Sequence, residues 1–211
     1  MWIKICANTN LADALAAAEA GADAVGFVFA SSPRRIVPEA AGAITEQLPP
    51  SVEKIGVFLN EPLPSLLAAI EQAHLTGAQL HGNESADYIS ELRRELPVLK
   101  IIKGLSPGES AAGFASDFIL VDSGTAGSRG GTGKTFDWNA YAAWLRQINQ
   151  PVILAGGLTA NNVAEAIRIL HPFGVDVASG VEATKGMKDH AKLRAFIAAV
   201  HAGSTVTSSQ P

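Results

Sequence analysis

The chain has 211 residues, of which 47% are hydrophobic and 17% are charged, and this composition predicts one compact globular domain with a sizeable core. Its formal net charge of -4 at pH 7 gives no basic field for a polyanion, so nucleic acid is not expected as a partner. A single cysteine excludes an internal disulfide, and neither a charged leader nor an apolar run of membrane length is present, so we expect a cytoplasmic protein without a membrane partner.

Short β-branched runs alternate with stretches of helical spacing along the chain, which is typical of parallel βαβ units. Eight strands are predicted, over residues 2–6, 24–29, 54–59, 77–81, 97–103, 118–122, 151–155 and 174–178. Four of the intervening stretches repeat apolar residues at the helical spacing, starting at Leu63, Tyr141, Val163 and Leu193. Each of these helices would cover one face of a sheet.

Capping residues mark three helix starts. Ser106 and Glu109 have the spacing of a capping box, with a proline at the first helical position. Asp137 precedes a second helix, and Thr159 precedes a third that would open at Ala160. These signals agree with the alternation of strands and helices.

Eight strand–helix pairs in this length predict a single-domain α/β protein, a closed (β/α)8 TIM barrel over residues 1–202. An open doubly wound sheet remains the alternative, because periodicity alone does not prove closure. The last residues, 203–211, read GSTVTSSQP and predict a flexible C-terminal tail.

In such barrels the chemistry lies on the loops after the carboxyl ends of the strands, which converge in space. This rule selects the residues Cys6, Arg34, Arg35, His81, Asp122, Gly156, Gly157, Ser179 and Gly180. The last four predict a phosphate site after strands seven and eight, since glycine lets a ligand approach backbone N–H groups closely. The alternative is that they only form turns.

Residues 128–135 read SRGGTGKT and resemble a phosphate-binding P-loop. However, Ser128 stands where that motif needs its first glycine, and Phe136 and the capping Asp137 come before the next helix begins. We therefore predict that the long glycine-rich loop after strand six is a lid over a bound substrate, with an ATP-binding loop as the alternative.

Eight motifs together resemble the phosphoribosylanthranilate isomerase family of tryptophan biosynthesis. They are KICANTN (4–10), GADAVGFVF (21–29), SPRRIVPE (32–39), QLHG (79–82), LVDS (120–123), GGTGKTFDW (130–138), LAGGLTANNV (154–163) and VDVASGVE (175–182). The resemblance implies an isomerase with a (β/α)8 barrel and no metal or organic cofactor. Its substrate would be the phosphorylated small molecule N-(5-phosphoribosyl)anthranilate, and an Amadori rearrangement would give 1-(2-carboxyphenylamino)-1-deoxyribulose 5-phosphate.

Carried over by position, the resemblance implies that Cys6 is the general base and Asp122 the general acid. Arg34 would hold the anthranilate carboxylate, with Arg35 as the alternative. We expect His81 to line the substrate site, although a structural role is an open alternative. The chemistry fits these residue types, because a carboxylic acid can protonate a ribose ring oxygen and a thiolate can remove the acidified C2 hydrogen. The thiolate requires either a lowered pKa or a proton transfer on binding.

The chain departs from the family pattern at three positions: Ala7 replaces a common glycine, Ala178 a common serine and Lys185 a common proline. A methyl group at position 7 would crowd the substrate or restrict the backbone if positive φ is needed there. Two other functions stay open. One is the related two-substrate isomerase of histidine and tryptophan synthesis, which would carry a carboxylate in place of Cys6, and the other is a non-catalytic phosphate-binding barrel.

For the remaining polar residues we predict structural roles or no specific role. Asp176, inside a strand, is predicted to support its neighbours by hydrogen bonding. The four histidines other than His81 lack metal-ligand spacing, so no metal site is expected. The oligomeric state stays open, with a monomer favoured.

Overall fold

Eight parallel strands form a closed barrel in a computed structural model that describes residues 1–122 and 138–207. The strands are β1 (Trp2–Ile5), β2 (Ala24–Val28), β3 (Glu53–Phe58), β4 (Gly77–Leu80), β5 (Lys100–Leu105), β6 (Phe118–Asp122), β7 (Val152–Ala155) and β8 (Gly174–Val177). Strand β8 pairs with β1 in register from Trp2 opposite Gly174 onward, which closes the cylinder. The predicted TIM barrel is confirmed, and the open sheet is excluded.

Helices surround the barrel. They are α1 (Leu11–Glu19), α2 (Pro38–Thr45), α3 (Leu63–Gln72), α4 (Ala86–Glu95), α5 (Trp138–Leu145), α6 (Val163–Leu170) and α7 (His190–Thr207). Their apolar stripes face the strands, as Leu66 and Ile70 of α3 show, and burying each such side chain contributes about 1.5–3 kcal/mol. Within the described residues, we find no helix that combines the length and the apolar character needed to cross a bilayer.

The barrel interior changes character along its axis. Because side chains alternate across a strand, every second residue points inward. An apolar cluster in the interior consists of Ala24, Ile55, Ile102, Leu120, Ile153 and Ala155. Polar and charged residues from the same alternation, among them Gln79, His81 and Asp122, instead line a cavity near the carboxyl ends of the strands. The barrel interior therefore has an apolar layer that stabilises the fold and, next to it, a polar layer that lines the cavity.

The helix expected after β5 was predicted incorrectly. Residues 106–117, all of them described, form turns and no helix. The capping contact exists, since the Ser106 N–H donates to Glu109 Oε2 at 2.9 Å. However, Gly108 and Gly113 have φ values of 89° and 85°, and this left-handed backbone ends the helical path at once.

Two helix boundaries differ from the predictions, β5 covers Lys100–Leu105 where residues 97–103 were expected, and one element was missed. Helix α6 begins at Val163 rather than Ala160, because Asn162 Oδ1 accepts from the Thr159 N–H at 2.8 Å and holds a turn there. Helix α7 continues to Thr207, so residues 203–207 are helical where a flexible tail was expected, and residues 208–211 lie outside the described part. A hairpin of β9 (Glu182–Thr184) and β10 (Met187–Lys188) precedes α7.

Candidate active site

A cavity of about 410 Å³ opens at the carboxyl ends of the barrel strands. This volume suits a small organic ligand. All eight residues to which the sequence assigned a catalytic or binding role line it: Cys6, Arg34, His81, Asp122, Gly156, Gly157, Ser179 and Gly180. The strand ends therefore bring together side chains that are far apart in the sequence.

Cys6 directly follows β1 and continues its pairing, since its N–H donates to the carbonyl of Val177 at 2.8 Å. Its sulfur occupies space that Gly26 leaves empty, because a Cβ at position 26 would lie 2.7 Å from Sγ. Burial raises the pKa of the Cys6 thiol above its ordinary 9.0, and the ammonium of Lys4 opposes this shift without cancelling it. Two routes to the thiolate are open from the sequence, and the raised pKa favours a proton transfer on binding over a lowered pKa.

Ala7 has a left-handed backbone, with φ of 62°, and is almost fully buried. A non-glycine residue in this region costs roughly 1–2 kcal/mol. This strained residue lies directly after Cys6. The next residue, Asn8, donates from its side chain to the carbonyl of Ile5 at 2.8 Å, and this hydrogen bond bridges the strained position. The positive φ that would explain a glycine at this position is therefore present, with alanine in its place.

A chain of polar contacts runs across the barrel beneath the cavity. Lys4 is fully buried, and its Nζ donates to Asp176 Oδ1 and to Gln79 Oε1, both at 2.9 Å. Gln79 Nε2 in turn lies 3.1 Å from Nδ1 of His81, whose Nε2 lies 3.5 Å from Oδ2 of Asp122. The prediction that Asp176 supports a neighbour by hydrogen bonding is confirmed, and that neighbour is Lys4.

The two adjacent arginines have different surroundings. Arg34 lines the cavity and makes a two-point contact with Glu182, in which Nε and Nη2 each donate to a carboxylate oxygen at 2.8 Å. Arg35 donates from Nε to the carbonyl of Phe29 at 3.1 Å. Among the two, the cavity is lined by Arg34 alone.

Glycines shape the opposite side of the cavity mouth. Gly156 and Gly157, directly after β7, have φ values of 84° and 63°, which few other residues adopt. At Gly180 a Cβ would lie 1.9 Å from the carbonyl oxygen of Leu158, so only glycine fits where the loops after β7 and β8 meet. Ser179 opens the short 3-10 helix Ser179–Val181 in that second loop. The arrangement brings backbone close to the ligand space.

Some predictions fall on residues 123–137, which lie outside the described part of the chain. They concern the lid, the SRGGTGKT stretch and the helix cap at Asp137. In the described ranges, 1–122 and 138–207, no group of three or more His, Cys, Asp or Glu residues is arranged to hold a metal ion.

Sequence reasoning missed four polar side chains that shape the site. Lys4 and Gln79 each precede a selected residue by two positions, so strand alternation places them on the same inner face as Cys6 and His81. Glu182 and Lys185 belong to the unpredicted hairpin, and Lys185 lines the cavity. Only the first pair carried a usable signal, which was the period of two.

Comparison with known proteins gives one consistent result for the sequence. The profile of the N-(5'-phosphoribosyl)anthranilate (PRA) isomerase family matches residues 3–199. A relative from Pelobacter propionicus, named N-(5'-phosphoribosyl)anthranilate isomerase, is 45% identical over 196 residues, which cover 92% of this chain and 93% of the relative.

Solved structures agree with the sequence match. Phosphoribosyl anthranilate isomerase from Thermus thermophilus superposes with a TM-score of 0.86 and 39% identity, covering 96% of this chain and 99% of that one. A phosphoribosyl anthranilate isomerase in complex with reduced 1-(o-carboxyphenylamino)-1-deoxyribulose 5-phosphate has a TM-score of 0.81 and 36% identity, with coverage of 96% and 99%. That enzyme therefore binds a phosphorylated small molecule.

Proposed function

The chain belongs to the N-(5'-phosphoribosyl)anthranilate isomerase family, and we propose that Cys6 and Asp122 are the base and the acid of its reaction. The enzyme converts N-(5-phosphoribosyl)anthranilate into 1-(2-carboxyphenylamino)-1-deoxyribulose 5-phosphate, an Amadori rearrangement in tryptophan biosynthesis. One observation carries the proposal: both side chains line the same cavity, from strands of the barrel that are separated by β7 and β8.

Asp122 acts first in this mechanism. Its carboxylic acid gives a proton to the ribose ring oxygen, the C1–O bond breaks, and the nitrogen lone pair forms a protonated Schiff base. A group that donates a proton in the transition state must lie within reach of the leaving oxygen, and Asp122 reaches the cavity from the end of β6.

Cys6 acts second. The protonated Schiff base acidifies the C2 hydrogen, the Cys6 thiolate removes it, and the electron pair of the C–H bond forms an enolamine that tautomerises to the ketone. Since burial raises the pKa of the thiol, Cys6 starts as a thiol and becomes the reactive thiolate by releasing its proton to solvent, before it removes the C2 hydrogen. Lys4 supports it, because its ammonium favours the ionised sulfur.

Two binding regions hold the ends of the substrate. Arg34 carries the anthranilate carboxylate, supported by its place on the cavity wall and by a guanidinium that offers more N–H donors than the two that contact Glu182. The phosphate binds between the loops after β7 and β8, at Gly156, Gly157, Ser179 and Gly180, where glycine backbone allows close approach. His81 also lines the cavity and completes the proposed set of binding residues.

The proposed acid and base are tested by fluorescence measurement of phosphoribosylanthranilate turnover. Cys6→Ser and Asp122→Asn should each lower kcat by roughly 100-fold to 10,000-fold, the usual contribution of a general acid or base. Asp87→Asn, the same exchange at an exposed position of α4, serves as the control and should retain full activity. Turnover at the normal rate in either site variant would remove that residue from the mechanism.

The cytoplasmic location and the monomeric state also stand as proposals. The first is supported by the single cysteine and by the biosynthetic family. Light scattering on the purified protein decides the second, since a monomer has a mass of 21.9 kDa.

A further inference from the structure

We propose that Gln79 is a positioning residue that fixes His81 as the neutral tautomer with its proton on Nε2, so that this N–H points to Asp122. The proposal rests on the role of Asp122 as the general acid given above. It follows from three contacts, Lys4 to Gln79, Gln79 to His81 and His81 to Asp122, of which the first sets the orientation of the others.

Lys4 sets the orientation because an ammonium group only donates hydrogen bonds. Burial alone would lower the pKa of Lys4, but the negative charge of Asp176 and its hydrogen bond to Nζ oppose that effect, and the pKa of Lys4 is raised. Lys4 therefore remains an ammonium in the barrel interior, held by Asp176 at 2.9 Å. Any group that faces its Nζ has to be an acceptor.

Gln79 has one acceptor and one donor end, and Lys4 decides which end faces where. The amide oxygen accepts from Lys4 Nζ at 2.9 Å, which leaves the NH₂ group toward Nδ1 of His81 at 3.1 Å. The opposite amide orientation would place the NH₂ group against the ammonium. It would lose a charge-assisted hydrogen bond inside a dry core, so it is strongly disfavoured.

His81 must therefore accept at Nδ1, which requires an unprotonated nitrogen there and places the ring proton on Nε2. Gly104 on β5 makes room for the ring, because a Cβ at that position would lie 2.6 Å from His81 Nδ1. The His81 side chain is only 12% exposed. Packing and hydrogen bonding thus fix both the tautomer and the orientation of this imidazole.

The tautomer matters when Asp122 loses its proton to the ribose ring. The carboxylate that forms has His81 Nε2 at 3.5 Å in the free protein, and such contacts tighten when substrate binds. An N–H at that position stabilises the developing negative charge, which is the effect of an oriented donor in a partly dry site. The other tautomer would present a lone pair, which repels the carboxylate and competes for the proton of the acid.

Nitrogen-15 NMR of the free protein tests the tautomer directly. The shifts of the two His81 ring nitrogens, assigned by their disappearance in His81→Asn, should show a protonated Nε2 and an unprotonated Nδ1 near neutral pH. A protonated Nδ1 in the wild type overturns the proposal. This readout needs no turnover, so it stands or falls separately from the catalytic role of Asp122.

Gln79→Glu provides the matched perturbation, because it replaces the NH₂ donor by an oxygen of nearly the same shape. We expect Nδ1 of His81 to gain a proton and kcat to fall roughly 10-fold to 100-fold, with KM changed by about twofold or less. Gln72→Glu, an exposed position at the end of α3, adds the same charge as a control and should change neither.

Gln79→Met covers the case in which the buried glutamate prevents folding. It keeps the volume but removes the donor to Nδ1, so the ring-nitrogen shifts should move away from the wild-type pattern and kcat should fall. Wild-type shifts together with a wild-type kcat in a folded Gln79 variant would overturn the proposal.

Discussion

Cys6 directly follows the first strand, and its sulfur lies in a space that exists because residue 26 has no side chain. The same burial that shapes this space raises the pKa of the thiol. Ionised sulfur is the proposed base, so the fraction of Cys6 that is present as thiolate increases with pH as long as the thiol is mostly protonated. The structure thereby links a packing detail to the ionisation of the base.

The rate at which iodoacetamide alkylates Cys6 should therefore rise through the neutral range without levelling off before about pH 9, because only the thiolate reacts. Far below the thiol pKa, each pH unit should increase this rate about tenfold, because the thiolate fraction grows by that factor. Cys6 is the single cysteine of the chain, so mass spectrometry of the intact protein measures the rate, and circular dichroism at each pH confirms that the fold is intact. An alkylation rate that levels off below about pH 8 would contradict the raised pKa of the thiol.

The Ala7→Gly variant measures how backbone strain and side-chain packing at position 7 each contribute to the free energy of unfolding. Relief of the left-handed backbone gains about 1 kcal/mol, and loss of one buried methyl group costs about 0.8 kcal/mol, so we expect stability to change by less than about 0.5 kcal/mol. Ala17→Gly, in the middle of α1 and fully buried, loses the methyl and adds helix entropy, at a cost of about 1.5 kcal/mol. Urea denaturation compares the two, and equal losses would contradict the strain at position 7.

At this scale the sequence identified the reactive side chains but not what holds them. Motifs placed Cys6 and Asp122 at strand ends, and the cavity contains both. Lys4 and its partner Gln79 were missed, because a buried lysine contradicts the average behaviour of its residue type. Strand alternation says that Lys4 points inward, but only the three-dimensional register brings Gln79 and Asp176 to it.

The loop between β2 and α2 carries two neighbouring arginines whose side chains contact different parts of the molecule. Arg34 reaches across to the hairpin at Glu182, while Arg35 turns back to the carbonyl of Phe29. The loop is therefore tied to the hairpin by the residue that faces the ligand space.

Arg34→Ala should mainly raise KM, by about 10-fold to 100-fold, because one charged contact of about 1.5–3 kcal/mol is lost. A smaller effect on kcat is expected, since binding rather than proton transfer is changed. The neighbouring Arg35→Ala is the matched control and should leave KM within about twofold. The reverse pattern in steady-state kinetics would assign the carboxylate contact to Arg35.

The helices and strands predicted from the sequence formed wherever the local sequence pattern and the tertiary structure favoured the same element. The barrel strands were all predicted, because β-branched runs between helical stretches carry a strong signal. The expected helix after β5 failed because Gly108 and Gly113 adopt positive φ, which outweighs a capping-box spacing. The β9–β10 hairpin was missed because its strands of three and two residues are too short to show a period.

The whole cylinder is closed by contacts between the two ends of the chain. Strand β1 pairs with β8, and Asp13 of α1 accepts from the Lys188 N–H and contacts Nε2 of His190, both at 2.8 Å. Burial alone would raise the pKa of Asp13, but these hydrogen bonds outweigh it, and the pKa is lowered. Asp13 therefore stabilises closure only while it is ionised.

A group with a lowered folded pKa contributes stability above its unfolded value, here 3.8, and loses it as pH falls further. The wild type should thus lose stability on acidification, and Asp13→Asn should lose about 1–3 kcal/mol near neutral pH while depending less on pH. Urea denaturation at several pH values measures both. Asp87→Asn on α4 is the control, and a parallel pH dependence in all three proteins would contradict a role for Asp13 in closure.

The contact between Gly180 and the carbonyl of Leu158 has a practical consequence for protein engineering. Gly180 cannot be substituted, since the Cβ of every other amino acid would collide with a neighbouring backbone. Lys185, on the exposed turn of the hairpin at the cavity wall, can be substituted without such a collision. A variant library designed to find new substrates for this barrel should randomise position 185 and keep glycine at position 180.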